Sequence, residues 1–177
     1  GYAAVGFPAF VLVFRAEYAR IFGTAGVLQI IAVFVLLTGY ELAIRHVVGR
    51  RLEQGKTLPR GLRFWNTFVE TSVPTILILL ISRHVDPVYA LQSAAAALYA
   101  VFIVLPTLRL DFRLSVFTGF VAAAEYVVLS AVSVHSSEVA AGTPFSLPPF
   151  YHTKGAMLVL AGFAAGFADP ATRETAA

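Results

Sequence analysis

The chain has no cysteine among its 177 residues. Disulfides, thiolate-bound zinc and thiol catalysis are therefore excluded. Charge is scarce as well. Only 13% of residues are Asp, Glu, Lys or Arg, about half the share of an average soluble domain. Thirteen basic and ten acidic residues leave a net charge of +3, which does not make a nucleic-acid-binding surface. No phosphate-cradling glycine loop, GxSxG or HExxH motif occurs. What is present is apolar: 58% of residues are hydrophobic and the mean hydropathy is +0.78. A soluble domain of 19.0 kDa keeps too much exposed area to hide that much apolar surface. Composition points to an integral membrane protein, and excludes a disordered chain and an ordinary soluble enzyme.

The hydrophobic runs predict an all-α, polytopic helical membrane bundle over residues 1–169, followed by a cytoplasmic tail at 170–177. Five spans are expected, near 25–48, 64–82, 87–108, 114–134 and 154–169. The stretch 3–14 is apolar but too short to cross a hydrocarbon core of about 30 Å alone, and counts as a partial or sixth span. These runs lack period-2 alternation and exceed barrel-strand length, so helices are the expected way to satisfy the backbone in lipid. The connections are 49–63, 83–86, 109–113 and 135–153. The chain opens on Gly1 without a basic n-region, which suggests a membrane helix whose start is missing rather than a signal peptide.

Orientation follows from Lys and Arg in the short connections. Arg45, Arg50, Arg51, Lys56, Arg60, Arg63, Arg109, Arg113 and Arg173 fall on one side, against Arg15, Arg20, Arg83 and Lys154 on the other. Nine against four places 45–63, 109–113 and the C-terminus in the cytoplasm, with the protein in the cell's inner membrane.

Ionisable groups at membrane depth are costly and are functional candidates by default. Glu41 precedes Arg45 by four residues, the favourable order for a helix ion pair. Glu70 stands two turns beyond Arg63 in a polar patch with Asn66, Thr67, Thr71 and Ser72. Both carboxylates are expected to neutralise Arg residues and lock helices together, or else to form a ligand or proton site. Glu125 lies about 18 Å into its span at 1.5 Å per residue, next to Tyr126, with no cation on its own helix. Its expected partners are Tyr99, Gln92 or Ser93 of the third span. Pro74 and Pro106 are expected to kink their helices.

Gly162 and Gly166 form a GxxxG step, and Gly119 with Ala123 a similar small face. Such faces let helices approach closely, within one chain or across a dimer. His84, His135 and His152 share the predicted outer side with Asp86 and Glu138. They are weak metal candidates, because their spacing matches no metal motif. Phe64, Trp65 and Tyr151 suit an interfacial aromatic belt. No cofactor is implied by a motif; bound lipid is expected.

Residues 59–82 (PRGLRFWNTFVETSVPTILILLIS) and 99–126 (YAVFIVLPTLRLDFRLSVFTGFVAAAEY) carry the motifs N-x-x-x-E-T-S-x-P-T and RLDFRLSVFTG. With the closing FYHTKGAMLVLAGFAAGFA they resemble the six-helix membrane region that precedes the catalytic domain of certain bacterial class III adenylate/guanylate cyclases. The resemblance covers most of the chain. It implies a homodimer and a receptor or regulatory role for the membrane part. The cyclase domain, with its two metal-binding Asp residues and its transition-state-stabilising Asn and Arg, has no counterpart in these residues, so no catalytic residue is carried over. The sequence thus leads to a membrane anchor and sensor module. Its rivals are an accessory subunit of a larger membrane complex, holding lipid, quinone or pigment, and a small transporter. Glu70, Glu125, Asn66, Tyr126 and Glu41 are the candidate site residues.

Overall fold

The computed structural model describes residues 15–57, 59–104, 111–137 and 148–167. The expected partial span at 3–14, Pro106, Glu138, most of the 135–153 connection and the C-terminal tail lie outside them. Every regular element among the described residues is helical: α1 (Arg15–Glu53), α2 (Arg60–Thr71), α3 (Val73–Ile81), α4 (Pro87–Leu91), α5 (Ala94–Val104), α6 (Phe112–Ser136) and α7 (Pro148–Phe167). Four stretches are long and apolar enough to cross a membrane: Ala19–Glu53, Arg60–Ile81, Pro87–Val104 and Phe112–Ser136. Two compact units divide at residue 62.

In the first unit, α1 is interrupted at Gly23, whose φ of 66° and ψ of 169° are non-helical. Glycine is the residue that reaches such a φ without steric cost. Beyond it, Val27, Ile30, Phe34 and Leu37 form a buried stripe at helical spacing, while Leu28, Val35, Leu36 and Leu42 stay exposed. The helix runs on past the expected end at 48. It stops at Gly55, where Lys56 N–H bonds the Arg51 carbonyl and Gly55 N–H that of Leu52, both at 2.9 Å. This is the Schellman arrangement, with Gly55 left-handed at φ 64°. The connection expected at 49–63 therefore shrinks to a few residues, because the polar run GRRLE remains helical. Arg45, the expected partner of Glu41, is exposed.

The second unit is built around α6 and α7. Helices α2 and α3 make one span broken at Ser72. Pro74 supplies no N–H, yet Ser72 N–H bonds Phe68 O (3.0 Å) and Ile76 N–H bonds Ser72 O (3.1 Å), so the helix path continues across the break. The third span is two helices rather than one. After α4 the chain tightens through i→i+3 bonds from Gln92 to Tyr89 and Ser93 to Ala90. The Ser93 hydroxyl also donates to the Ala90 carbonyl at 2.7 Å, a local bond that competes with a continuous helix.

Helix α6 begins at Phe112, two residues before the expected start, because Asp111 caps it: Leu114 N–H donates to Asp111 Oδ1 at 3.3 Å. Asp111 also sits 3.4 Å from Arg63. Asp111→Ala is expected to lower stability by about 1 kcal/mol, the usual value of a cap. Asp111→Asn keeps the cap and loses only an exposed ion pair worth about 0–1 kcal/mol. Unfolding in detergent separates the two; equal losses would mean that the ion pair, not the cap, matters. Helix α7 starts at Pro148, six residues before the expected span. Pro-Pro reads as loop, but the first helical turn needs no N–H there. His152, Thr153 and Lys154 dilute the apolar character of its first turns.

Polarity is inverted relative to a water-soluble fold. On α2 the buried residues are Asn66, Thr67, Glu70 and Thr71, while Trp65 and Phe68 are exposed and stack at 5.8 Å. On α6 and α7, Phe120, Val128, Val132, Met157, Leu160 and Phe167 face outward. Apolar area of this extent on the outside suits contact with lipid.

Candidate functional site

Glu125 lies midway along α6, thirteen residues after Phe112 and eleven before Ser136. Its partners are hydroxyls of the second span. Ser72 Oγ donates to Glu125 Oε1 at 2.6 Å, and Thr75 Oγ1 donates to Glu125 Oε2. Thr75 Oγ1 also lies 2.5 Å from Tyr99 OH. The Thr75 proton is committed to the carboxylate, so the Tyr99 hydroxyl donates to Thr75. Tyr99 is fully buried. One carboxyl thus ties α3, α5 and α6 through a short chain of hydroxyls. Ser72 and Thr75 stand three residues apart, so both hydroxyls lie on one face of the second span.

This differs from the expected set of Tyr99, Gln92 and Ser93. Tyr99 joins through Thr75 rather than directly. Gln92 is exposed, and Ser93 is spent on its own helix. Nothing in a single sequence marks Ser72 and Thr75, since serine and threonine in membrane helices usually bond the carbonyl four residues back. Ser72 keeps that option too, with Phe68 O at 2.9 Å; its one proton serves one acceptor at a time.

Tyr126, the next residue, is buried against two rings. It meets Tyr99 edge-on at 6.1 Å between centroids and Tyr151 at 6.4 Å. The hydroxyls of Tyr126 and Tyr151 are buried and make no hydrogen bond. Tyr151 is therefore not a residue of the interfacial belt: it is 2% exposed. Beside Tyr99 and Tyr126 an open cleft of about 340 Å³ runs between α4–α5 and α7.

The remaining candidates are placed elsewhere. Asn66 Nδ2 donates to Glu70 Oε1 at 2.6 Å, an i,i+4 pair on α2, while Asn66 Oδ1 and Thr67 Oγ1 are buried without a partner. Arg63, expected to neutralise Glu70, pairs with Asp111 instead. Glu41 belongs to the first unit. Asp86 caps α4 through Val88 N–H at 2.9 Å and accepts the Ser137 hydroxyl on both oxygens, at 2.7 and 2.8 Å. Helix α6 is thus held at both ends and at its middle. Among the described residues no three His, Asp or Glu side chains gather as a metal site; His84, His135 and His152 stay apart in this respect.

Helices α6 and α7 touch backbone to backbone. A Cβ at Gly119 would fall 2.9 Å from Gly162 Cα, and one at Gly162 would fall 2.8 Å from Gly119 Cα. Gly166 makes room for the Phe112 ring and Gly155 for Val127. The small faces meet within one chain. Comparison with family models, curated proteins and solved structures finds no match to this chain.

Proposed function

We propose that the chain is a multi-pass membrane anchor and sensor module that passes a signal to a cytoplasmic output domain through its C-terminal helix. The observation that carries this reading is the Glu125 node. It joins three helices in the middle of an apolar bundle by three hydroxyls, an arrangement that costs more to bury than apolar packing of the same volume. A carboxyl held by hydroxyls that have other acceptors within reach can exchange partners. Ser72 can return to Phe68 O, and Tyr99 faces the cleft. Such an element has two arrangements, and a ligand that binds one better shifts their balance. Any movement of α6 reaches α7 directly, because Gly119 and Gly162 leave no side chains between them to absorb it.

The resemblance to the membrane region of class III cyclases supports a nucleotide cyclase as the output, a homodimer as the working form, and five or six spans with a cytoplasmic C-terminus. The test has two steps. Intact mass spectrometry of the native product is expected to exceed 19.0 kDa by roughly 20 kDa or more, the size of an added domain. Glu125→Gln in that product is then expected to shift the dose or extent of the cyclase response while leaving the fold intact. A native mass of 19.0 kDa would favour the accessory-subunit reading instead. An unchanged response in Glu125→Gln would remove Glu125 from the sensing path.

A further inference from the structure

We infer that the cleft between α4–α5 and α7 binds an amphiphile with one acyl chain and one anionic head group, with Lys154 as its counter-charge. The inference deepens the sensor reading by naming what is sensed, and it rests on that reading only for its consequence; binding itself is measured separately.

Lys154 is the observation that asks for a ligand. It is partly buried at the cleft and has no carboxylate within ion-pair distance among the described residues. Its ammonium lies 4.8 Å from the Phe150 ring centroid and 6.0 Å from that of Tyr126. Aromatic faces stabilise a cation partially but accept none of its three N–H groups in the way a carboxylate or phosphate does. The Tyr126 side chain lines the same cleft, is 2% exposed, and its hydroxyl has no partner. A cation with no counter-charge among the described residues, beside an apolar cleft, favours an anion.

The rest of the cleft selects the body of the ligand. Leu91, Ala96, Met157 and Leu158 supply apolar walls, and Met adapts to an irregular chain. The volume of about 340 Å³ lies at the small end of ligand sites, which suits one acyl chain rather than two. A zwitterionic phospholipid would bring its own cation against Lys154. Tyr99 is among the residues lining the cleft and is hydrogen-bonded to Thr75 of the Glu125 node. An occupant that moves Tyr99 therefore acts on the junction of α3, α5 and α6.

The experiment uses the whole 177-residue chain in nanodiscs of zwitterionic lipid, labelled with a palmitic acid analogue carrying a photoreactive diazirine in its chain. Label is expected on the peptides holding Leu91 and Met157. Unlabelled palmitate and a lysophosphatidate of the same chain are expected to compete, and hexadecanol to compete at least about tenfold less well, the weight of one charge-assisted bond. The ranking of the two acids distinguishes a fatty carboxylate from a phospholipid head group. Lys154→Gln is expected to weaken labelling by a similar factor and Lys154→Arg to retain it. Should Lys154→Gln lose helicity, Met157→Trp fills the cleft without touching the charge and is expected to abolish labelling. Hexadecanol competing as well as palmitate, or labelling unchanged in Met157→Trp, overturns the inference. Binding without any effect on output would leave the site standing and sink the sensor reading; output control without binding would do the reverse.

Discussion

Gly162→Val is expected to cost about 3 kcal/mol and to separate α6 from α7. A Cβ at this position would fall 2.8 Å from Gly119 Cα, 2.9 Å from Ser115 O and 3.2 Å from Gly119 N. All three are backbone atoms of α6, so no side chain can swing aside. Overpacking a core whose neighbours can adjust costs typically 1–3 kcal/mol; here the adjustment is a rigid displacement, so the upper end applies. The displacement also opens the ring contacts along the same seam, Phe112 with Phe163 and Phe167 at 6.5 and 5.1 Å, and Phe120 with Phe163 at 6.0 Å. Gly166→Ala should cost less, about 1 kcal/mol, because its obstacle is the Phe112 side chain. Gly39→Ala, with nothing within 4 Å of the added carbon, is the control. It should be neutral or stabilising by up to about 1 kcal/mol, from helix propensity alone. Unfolding in mixed micelles, followed by ellipticity, orders the three. A Gly162→Val protein as stable as wild type would mean that α6 and α7 do not pack on these glycines.

The helical class and four stretches long and apolar enough to cross a membrane are legible because they rest on composition and run length. The GxxxG step was legible for the same kind of reason: a missing side chain matters wherever two helices meet. The ends of α1, α6 and α7 are not legible in the same way, because they depend on caps that look like loop: Gly55 in a polar run, Asp111 inside RLDFR, Pro148–Pro149 at the start of α7. A helix turn there needs only a left-handed glycine, one carboxylate or a missing N–H. The break at Gln92–Ser93 hid inside a run of good hydropathy. Tyrosine is amphipathic and so suits an interface, whereas the Tyr151 ring packs against Tyr126. Arg63 stands nearer in sequence to Glu70 than to Asp111, but the choice between them is tertiary.

Glu125 shows the same limit at the candidate site, and it sets the second large effect. The residue is visible as a carboxyl in an apolar helix; its partners are not, because hydrogen bonds between spans follow helix rotation. Glu125→Ala is expected to cost about 2–3 kcal/mol. Two inter-helix hydrogen bonds vanish, each worth about 0.6 kcal/mol within a membrane, and the void left by the side chain adds about 1 kcal/mol or more. The cost stays below that of orphaning two buried hydroxyls, because Ser72 retains Phe68 O at 2.9 Å and Thr75 retains Tyr99 OH at 2.5 Å. Glu125→Gln keeps an acceptor and the volume, so its cost should be under about 1 kcal/mol. A double-mutant cycle isolates the bond itself. Glu125→Ala and Ser72→Ala should couple by about 0.5–1 kcal/mol, whereas Glu125→Ala and Thr153→Ala should add, since Thr153 bonds only the Pro149 carbonyl of its own helix. Zero coupling with Ser72 would mean that the node is packing without hydrogen bonding. The exchange of partners on which the sensor reading depends would then have no physical basis, even if the cleft beside it still took a ligand.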